Sequence, residues 1–259
     1  MKNIFKITYL TILLLTAMHQ VKAAEKIELL KTDWSFKGLF GKFDRGSLQR
    51  GYQVYTEVCA SCHSMKYLSY RNLSEKGGPE FSIEQTKAIA ASFEVTDGPN
   101  DDGEMFERPA KPSDKFVMPY RNTKEAQVAN GGAYPPDMSV LAKARSGGVD
   151  YIYSVLLGYE DPPSGVTLDD GVYYNKYMYG NYIKMSQPLY DGSVEYNDGT
   201  EATKEQMAKD VTTFLMWTAE PHLEARHRMG FKAILYLIIL TILVYFSMKK
   251  IWSRIESEI

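Results

Sequence analysis

Cysteine is almost missing from this 259-residue chain, which has two, Cys59 and Cys62. A disulfide scaffold needs more, and bridges between residues three apart are rare. The two sulfurs therefore have another use. Histidine is scarce as well: His19, His63, His222 and His227 are the full set. A zinc site needs four ligands, and no second Cys or His pair is spaced to complete one. No βαβ pattern surrounds the cysteines, which excludes the frame of a thioredoxin-like redox pair. No charge of one sign dominates either. The 30 Lys and Arg against 32 Asp and Glu leave a net charge of -2, so the chain is no bulk nucleic-acid binder. There is no internal repeat. What is present suffices for a packed core: 44% of the residues are hydrophobic and 13% aromatic.

Two long apolar runs organise the rest. At the N-terminus, Lys2 and Lys6 precede an uncharged run from Ile7 to Met18, and Val21-Lys22-Ala23 offers small residues to a signal peptidase. Residues 1–23 read as a cleaved signal peptide, short and Sec-like rather than an Arg- and Ser-rich transit peptide. At the C-terminus, Phe231 to Met248 carries one charge, Lys232, at its edge. At helical rise these residues cover roughly 27 Å, close to a hydrocarbon core of about 30 Å. The segment lacks the polar face of a core helix. The expected layout is an exported domain over 24–225, a transmembrane helix over 229–249 and a cytoplasmic tail over 250–259. Lys249, Lys250 and Arg254 favour a cytoplasmic C-terminus, and Arg226, Arg228 and Lys232 nearly balance them; the signal peptide decides the orientation. A single-pass protein of the bacterial inner membrane follows, with its domain on the periplasmic side.

Within the domain, Leu48, Gly51, Tyr52, Tyr55 and Val58 recur at helical steps from near Ser47. Further helices are expected at Ile83–Phe93, Val149–Tyr159 and Thr203–Trp217, the last ended by Glu220-Pro221. The stretch 77–137 is rich in Gly, Pro, Asp and Lys, and 165–200 in Tyr, Gly, Asn and Asp. The second reads as loops with a hairpin, and the first contains the helix candidate Ile83–Phe93.

Chemistry sits at Cys59-Ala60-Ser61-Cys62-His63. The spacing C-x-x-C-H is the attachment signature of haem c. Residues i, i+3 and i+4 share a helix face, so one turn can offer two thiols to the vinyl groups of one haem edge and hold His63 beneath the iron. Export delivers the chain to the compartment where that attachment occurs. The sixth iron position is then open to Met, His or nothing. A thioether suits electron transfer and raises the potential. Ten of the twelve methionines follow His63, and chemistry alone does not choose among them; Met118 and Met185 both lie in loops near a proline.

The chain resembles the cytochrome c1 family, the haem subunit of the cytochrome bc1 complex (ubiquinol–cytochrome c oxidoreductase), from about Trp34 to the C-terminal span. The resemblance is carried by the segment 50–65 around the cysteines, by Asn130-Gly131-Gly132-Ala133-Tyr134-Pro135-Pro136-Asp137, by Ala144-Arg145-Ser146-Gly147-Gly148-Val149-Asp150-Tyr151, by Gly158-Tyr159-Glu160-Asp161-Pro162-Pro163, by the loop 180–190 and by Phe214-Leu215-Met216-Trp217-Thr218-Ala219-Glu220-Pro221. It implies Met185 as the sixth ligand and Arg145 as the partner of a haem propionate, a role that a guanidinium fork suits. It implies a mainly α fold, a cytochrome c-like haem domain with long loop insertions plus one C-terminal transmembrane helix. In such folds the first and last helices cross near the haem; the Gly51/Tyr55 and Phe214/Trp217 helices are the candidates. Some family members carry extra cysteines in this domain, and this chain lacks them.

The resemblance further implies a relay. Electrons would arrive from a Rieske iron–sulfur protein and leave to a cytochrome c-type acceptor, while cytochrome b packs against the span in the membrane lipid. Catalysis then belongs to the assembly. Two other classes stand beside it: a free-standing membrane-tethered shuttle feeding a terminal oxidase, and a haem-based sensor or peroxidase, which needs an open iron. The acidic stretch Asp97, Asp101, Asp102, Glu104 and Glu107 contains no Lys or Arg and reads either as a docking patch for a basic acceptor or as a solvated loop.

Overall fold

The computed structural model describes residues 27–256, so the signal peptide expected at 1–23 lies outside the described residues. Helix α1, Arg45–Val54, starts where Asp44 caps it, its carboxylate accepting from the Ser47 amide at 2.7 Å. The cap fixes the phase that buries Leu48, Gly51, Tyr52 and Val54. Short helix α2, Ile83–Ala91, opens on a reciprocal Ser82/Gln85 capping box. Then come α3 (Thr123–Ala129), α4 (Leu141–Ala144) and α5 (Gly148–Leu157). Helix α6, Lys204–Ala219, is capped by Thr203, and α7 runs unbroken from Leu223 to Glu256.

Strand content is small. An antiparallel hairpin pairs β1 (Glu94–Asp97) with β2 (Phe106–Pro109), and β3 (Tyr173–Tyr174) meets β4 (Tyr182–Ile183) in a two-residue ladder. The fold is thus helix-rich, as the sequence implies. The hairpin expected within 165–200 is present as β3–β4. The first hairpin and α3 fall in 77–137, where only Ile83–Phe93 was expected to be helical, and α4 follows just beyond it.

The centre of the domain is the crossing of α1 on α6. Gly51 makes it possible: a Cβ there would lie 2.1 Å from the Asp210 carbonyl oxygen and 2.7 Å from Phe214 Cβ. Aromatics fill the space beside this close approach. The Phe214 ring sits 5.8 Å from Tyr52, 5.9 Å from Tyr55 and 5.5 Å from Trp217. At the same crossing the buried carboxylate of Asp210 accepts from Ser47 Oγ at 2.6 Å, Arg50 Nε at 2.8 Å and Gln206 Nε2 at 3.0 Å. Its buried charge is therefore paired and its oxygens are satisfied.

Residues 27–44 form a strap that no periodicity announces. Trp34, Phe36 and Phe43 are buried, and the Trp34 ring stacks 5.5 Å from Phe36 and meets Tyr153 of α5 edge-on at 5.7 Å. Asp150, in the first turn of α5, holds the strap by accepting from Trp34 Nε1 at 2.6 Å, Lys31 Nζ at 3.1 Å and Lys37 Nζ at 3.2 Å. Burial alone would push this carboxyl up, but the three donors outweigh it and hold it below the usual carboxylate range. The sign follows. Its contribution is fully present above the unfolded-state value of about 3.9 and is lost as pH falls through the lower folded value. Asp150→Asn should cost about 2 kcal/mol at neutral pH. The gap from the parent in thermal unfolding should close at strongly acidic pH; an equal gap at both ends would contradict this.

Helix α7 joins the domain to an apolar rod. Its 18-residue apolar window is wholly unburied and has a mean hydropathy of 2.2. Ionic contacts fix its first turn: Glu224 accepts from Arg45 Nη1 at 2.8 Å, Arg45 Nη2 at 2.9 Å and the Phe43 amide at 3.0 Å. The chain thus carries one helix long and apolar enough to cross a membrane among the described residues.

Candidate functional site

Helix α1 does not run regularly into the cysteines. It widens into a π-turn over Tyr55–Cys59, in which the Ala60 amide reaches back five residues to the Tyr55 carbonyl at 2.8 Å. Such turns accompany functional sites because the extra residue re-aims the side chains that follow. A single tight turn then holds the motif. The amides of Cys62 and His63 both donate to the Cys59 carbonyl, at 3.1 and 2.9 Å. The regular helix expected there is replaced, while the one-turn relation among Cys59, Cys62 and His63 is kept.

His63 is buried, and its ring is oriented by the loop 135–139. Nδ1 lies 2.8 Å from the Pro136 carbonyl oxygen, which can accept but not donate, so Nδ1 carries the proton. Nε2 is then the nitrogen with the free lone pair. Burial lowers the His63 pKa against the opposing pull of the Pro136 bond and of Asp137. The ring is neutral, as a metal ligand must be. The loop that holds it is itself fixed. Asp137 accepts from Ser64 Oγ at 2.8 Å and from the Lys66 and Ser139 amides, both at 3.0 Å.

His63 and Cys62 line a cavity of about 390 Å³. Its apolar walls come from Leu141, Ile152, Val155 and Ile183 with Pro135 and Pro136. Met185 lines it too, on the loop after β4, where its carbonyl accepts from Tyr159 Oη at 3.0 Å. Arg145 stands at the same cavity, exposed, with no side-chain ion pair among the described residues. The turn that follows it requires glycine: Gly147 and Gly148 have φ of +86° and +55°, and a Cβ on Gly147 would lie 2.5 Å from Leu29 Cδ1. The structure therefore brings Cys62, His63, Arg145 and Met185 to one cavity, with Cys59 buried one turn away. Met118 is not among the lining residues and is 52% exposed.

Two lining methionines escaped the sequence reading, Met138 and Met178. The Met178 sulfur accepts from Tyr151 Oη at 3.2 Å, and Met138 follows the Pro136 loop, its amide bonded to the Ser64 carbonyl at 2.8 Å. Met138 sits directly beside the Pro135-Pro136-Asp137 motif, which was the available signal for it.

The donor set decides what such a cavity can hold. Among the described residues no three His, Cys, Asp or Glu side chains gather as a metal cluster, so a bare ion finds no chelate. Nor is Cys59 a poised nucleophile. Burial, with the Cys62 thiol nearby, pushes its thiol up to about 12, the reverse of a reactive redox cysteine. An imidazole nitrogen and a thioether on apolar walls, two thiols on one turn and a free guanidinium fit haem, and the volume lies within the usual range for cofactor sites, roughly 300–1,000 Å³.

Fold and site together define a class: a c-type haem protein anchored by one apolar C-terminal helix. The description "Cytochrome C1 family" matches this chain over residues 34–255. Its relatives include "Cytochrome c1" of Rhodospirillum rubrum, 45% identical over 246 residues and covering 89% of each chain. "Cytochrome c1-1, heme protein, mitochondrial" of Solanum tuberosum is 47% identical, covering 94% of this chain and 75% of that protein. "Cytochrome b/c1" of Bradyrhizobium diazoefficiens is 53% identical over 85% of this chain, which spans only 35% of that longer protein. The chain belongs to the cytochrome c1 family.

Proposed function

We propose that this chain is the electron-relay subunit of a cytochrome b–c1 complex, carrying one haem c bound through thioethers from Cys59 and Cys62. The observation that carries the reading is the His63 ring, buried, neutral and protonated on Nδ1 by its bond to Pro136, on the wall of the same cavity as Met185. In the bound state the haem iron supplies a one-electron couple. The residues around it bind and orient. His63 Nε2 and the Met185 sulfur would hold the haem iron as its two protein donors. Arg145 pairs with a propionate, and Ile152, Val155 and Ile183 keep water away. Tyr159 and Asp137 hold the ligand loops, so little need rearrange as charge changes.

Family membership and the relatives' names support complex membership and the remaining assignments. On that reading, electrons would pass from a Rieske iron–sulfur protein to a cytochrome c-type acceptor, and cytochrome b would pack on α7. The domain over 24–225 lies on the periplasmic side of a bacterial inner membrane after removal of residues 1–23, 229–249 cross it, and 250–259 end in the cytoplasm. Purification in mild detergent with haem staining tests the reading. A b-type cytochrome and a Rieske protein should co-purify in fixed ratio; isolation of the chain alone in every mild detergent would contradict membership.

The acidic stretch is smaller than the sequence suggests. It is the β1–β2 hairpin, where Arg108 pairs with Asp97 and with Asp114, and Glu107 accepts from Thr96 Oγ1 at 2.6 Å. Asp101, Asp102 and Glu104 are left exposed at its tip. If this tip steers a basic acceptor, changing these three to Asn, Asn and Gln should slow acceptor reduction severalfold at low ionic strength and leave it unchanged at high salt. Equal rates at both would make the tip a solvated turn.

A further inference from the structure

Two loops meet across the mouth of the haem cavity, and one side chain joins them. From one side comes the loop that carries Met185. Its root is slight: β3 and β4 pair over two residues, and Gly180 and Asn181 take φ of +79° and +65° in the turn before β4. From the other side comes 130–136, which ends at the carbonyl that orients His63. Lys184, next to Met185 in the chain, reaches across and donates from Nζ to the Gly131 carbonyl at 2.7 Å. Lys184 is exposed and yet lines the cavity with Asn130 and Ala133, so the bond stands at the mouth.

The acceptor is a built turn. Gly131 and Gly132 take φ of +57° and +84°, a left-handed pair that turns the chain back on the end of α3. The Gly132 amide donates to the Gln127 carbonyl at 2.7 Å and the Ala133 amide to the Asn130 carbonyl at 3.0 Å. Asn130 Nδ2 donates to the Ala126 carbonyl at 2.7 Å and to Tyr120 Oη at 3.0 Å. The Gly131 carbonyl is thus held where Lys184 meets it. An ammonium suits this place, since the carboxyl end of a helix carries partial negative charge. A charged donor also makes the bond stronger than a neutral one. The Met185 loop is otherwise tied by the two-residue ladder and by Tyr159 Oη on the Met185 carbonyl.

We propose that Lys184 is a positioning residue for the haem: its bond to Gly131 latches the Met185 loop to the loop that orients His63 and keeps the Met185 sulfur at the iron. Lys184 acts through Met185 and touches no reacting atom. A short loop with few ties opens locally far more often than the core does, and the latch suppresses that opening. The inference deepens the relay reading and rests on Met185 as an iron donor.

Carbon monoxide added to the reduced, haem-loaded full chain tests the latch, since it reaches the iron only when the Met185 sulfur leaves. Lys184→Ala should take it up about fivefold faster than the parent, the factor expected for the loss of one hydrogen bond. The same variant should lose the methionine–iron band at a lower temperature with its haem still attached. Lys184→Arg keeps a charged donor and should behave as the parent. Lys176→Ala removes another exposed lysine, one paired with Glu160, and should leave the uptake rate unchanged. Parental uptake by Lys184→Ala, or an equal rise in Lys184→Arg or in Lys176→Ala, would overturn the latch. A parent that takes up carbon monoxide as readily as Met185→Leu would instead overturn Met185 as a donor, and the latch with it.

Discussion

Met185→Leu should remove the methionine–iron absorption band of the oxidised protein and lower its potential by on the order of 100 mV, within the roughly 0.8 V that axial ligands span. The haem stays attached, because neither cysteine is touched. The cavity makes the controls specific. Met138 and Met178 line it as well, so Met138→Leu and Met178→Leu are the stringent comparisons, and the exposed Met118→Leu is the easy one. All three should keep the band. Met178 already accepts the Tyr151 hydroxyl, which occupies its sulfur. Tyr159→Phe should leave the ligand in place but loosen its loop, since the hydroxyl bonds the Met185 carbonyl rather than its sulfur. A band that survives Met185→Leu and disappears in Met138→Leu or Met178→Leu would move the ligand.

Gly51→Val should abolish accumulation of the folded domain. The added carbons would enter space held by the Asp210 carbonyl and Phe214 Cβ, both backbone or near-backbone atoms that cannot swing aside. Prying α1 from α6 by enough to admit them breaks the Ser47–Asp210 and Arg50–Asp210 bonds at the same crossing. It leaves the buried Asp210 carboxylate with Gln206 alone and its charge unpaired, so the cost should reach at least about 3 kcal/mol. The crossing also carries the π-turn that ends at Cys59, so the variant should fail in haem attachment as well as in stability. Measured by haem-stained protein per cell, loss should be near complete; accumulation at parental levels would mean that the helices do not meet as closely as described.

Much of this was legible in residues that act locally. Asp44 and Thr203 cap the helices whose periodic faces predicted them, and the close approach at Gly51 follows from a glycine among aromatics on one face. The apolar run 231–248 lies within α7, although the helix starts earlier, at Leu223, because Glu224 is locked to Arg45 in its first turn. What was missed depends on distant partners. The strap at 27–44 is ordered by Asp150, more than a hundred residues away, and leaves no period in the sequence. The β1–β2 hairpin is short and charged, with Arg108 just beyond the stretch that looked purely acidic. Helix α3 did announce itself through Asn122 and Glu125, whose side chains accept from the Glu125 and Arg121 amides, but the surrounding Gly and Pro argued for a loop. In the site, Met185 and Arg145 came from family likeness, not from spacing. The π-turn at Tyr55–Cys59 has no residue signature.

The proposed role depends on a covalent bond between the polypeptide and a porphyrin. The direct measurement is a denaturing gel of the protein from its native host, stained for haem peroxidase activity, beside Cys59→Ala and Cys62→Ala variants. A stained band should travel with the unfolded polypeptide and vanish when Cys59→Ala and Cys62→Ala are combined. A parent band that loses all its colour on denaturation would contradict the account.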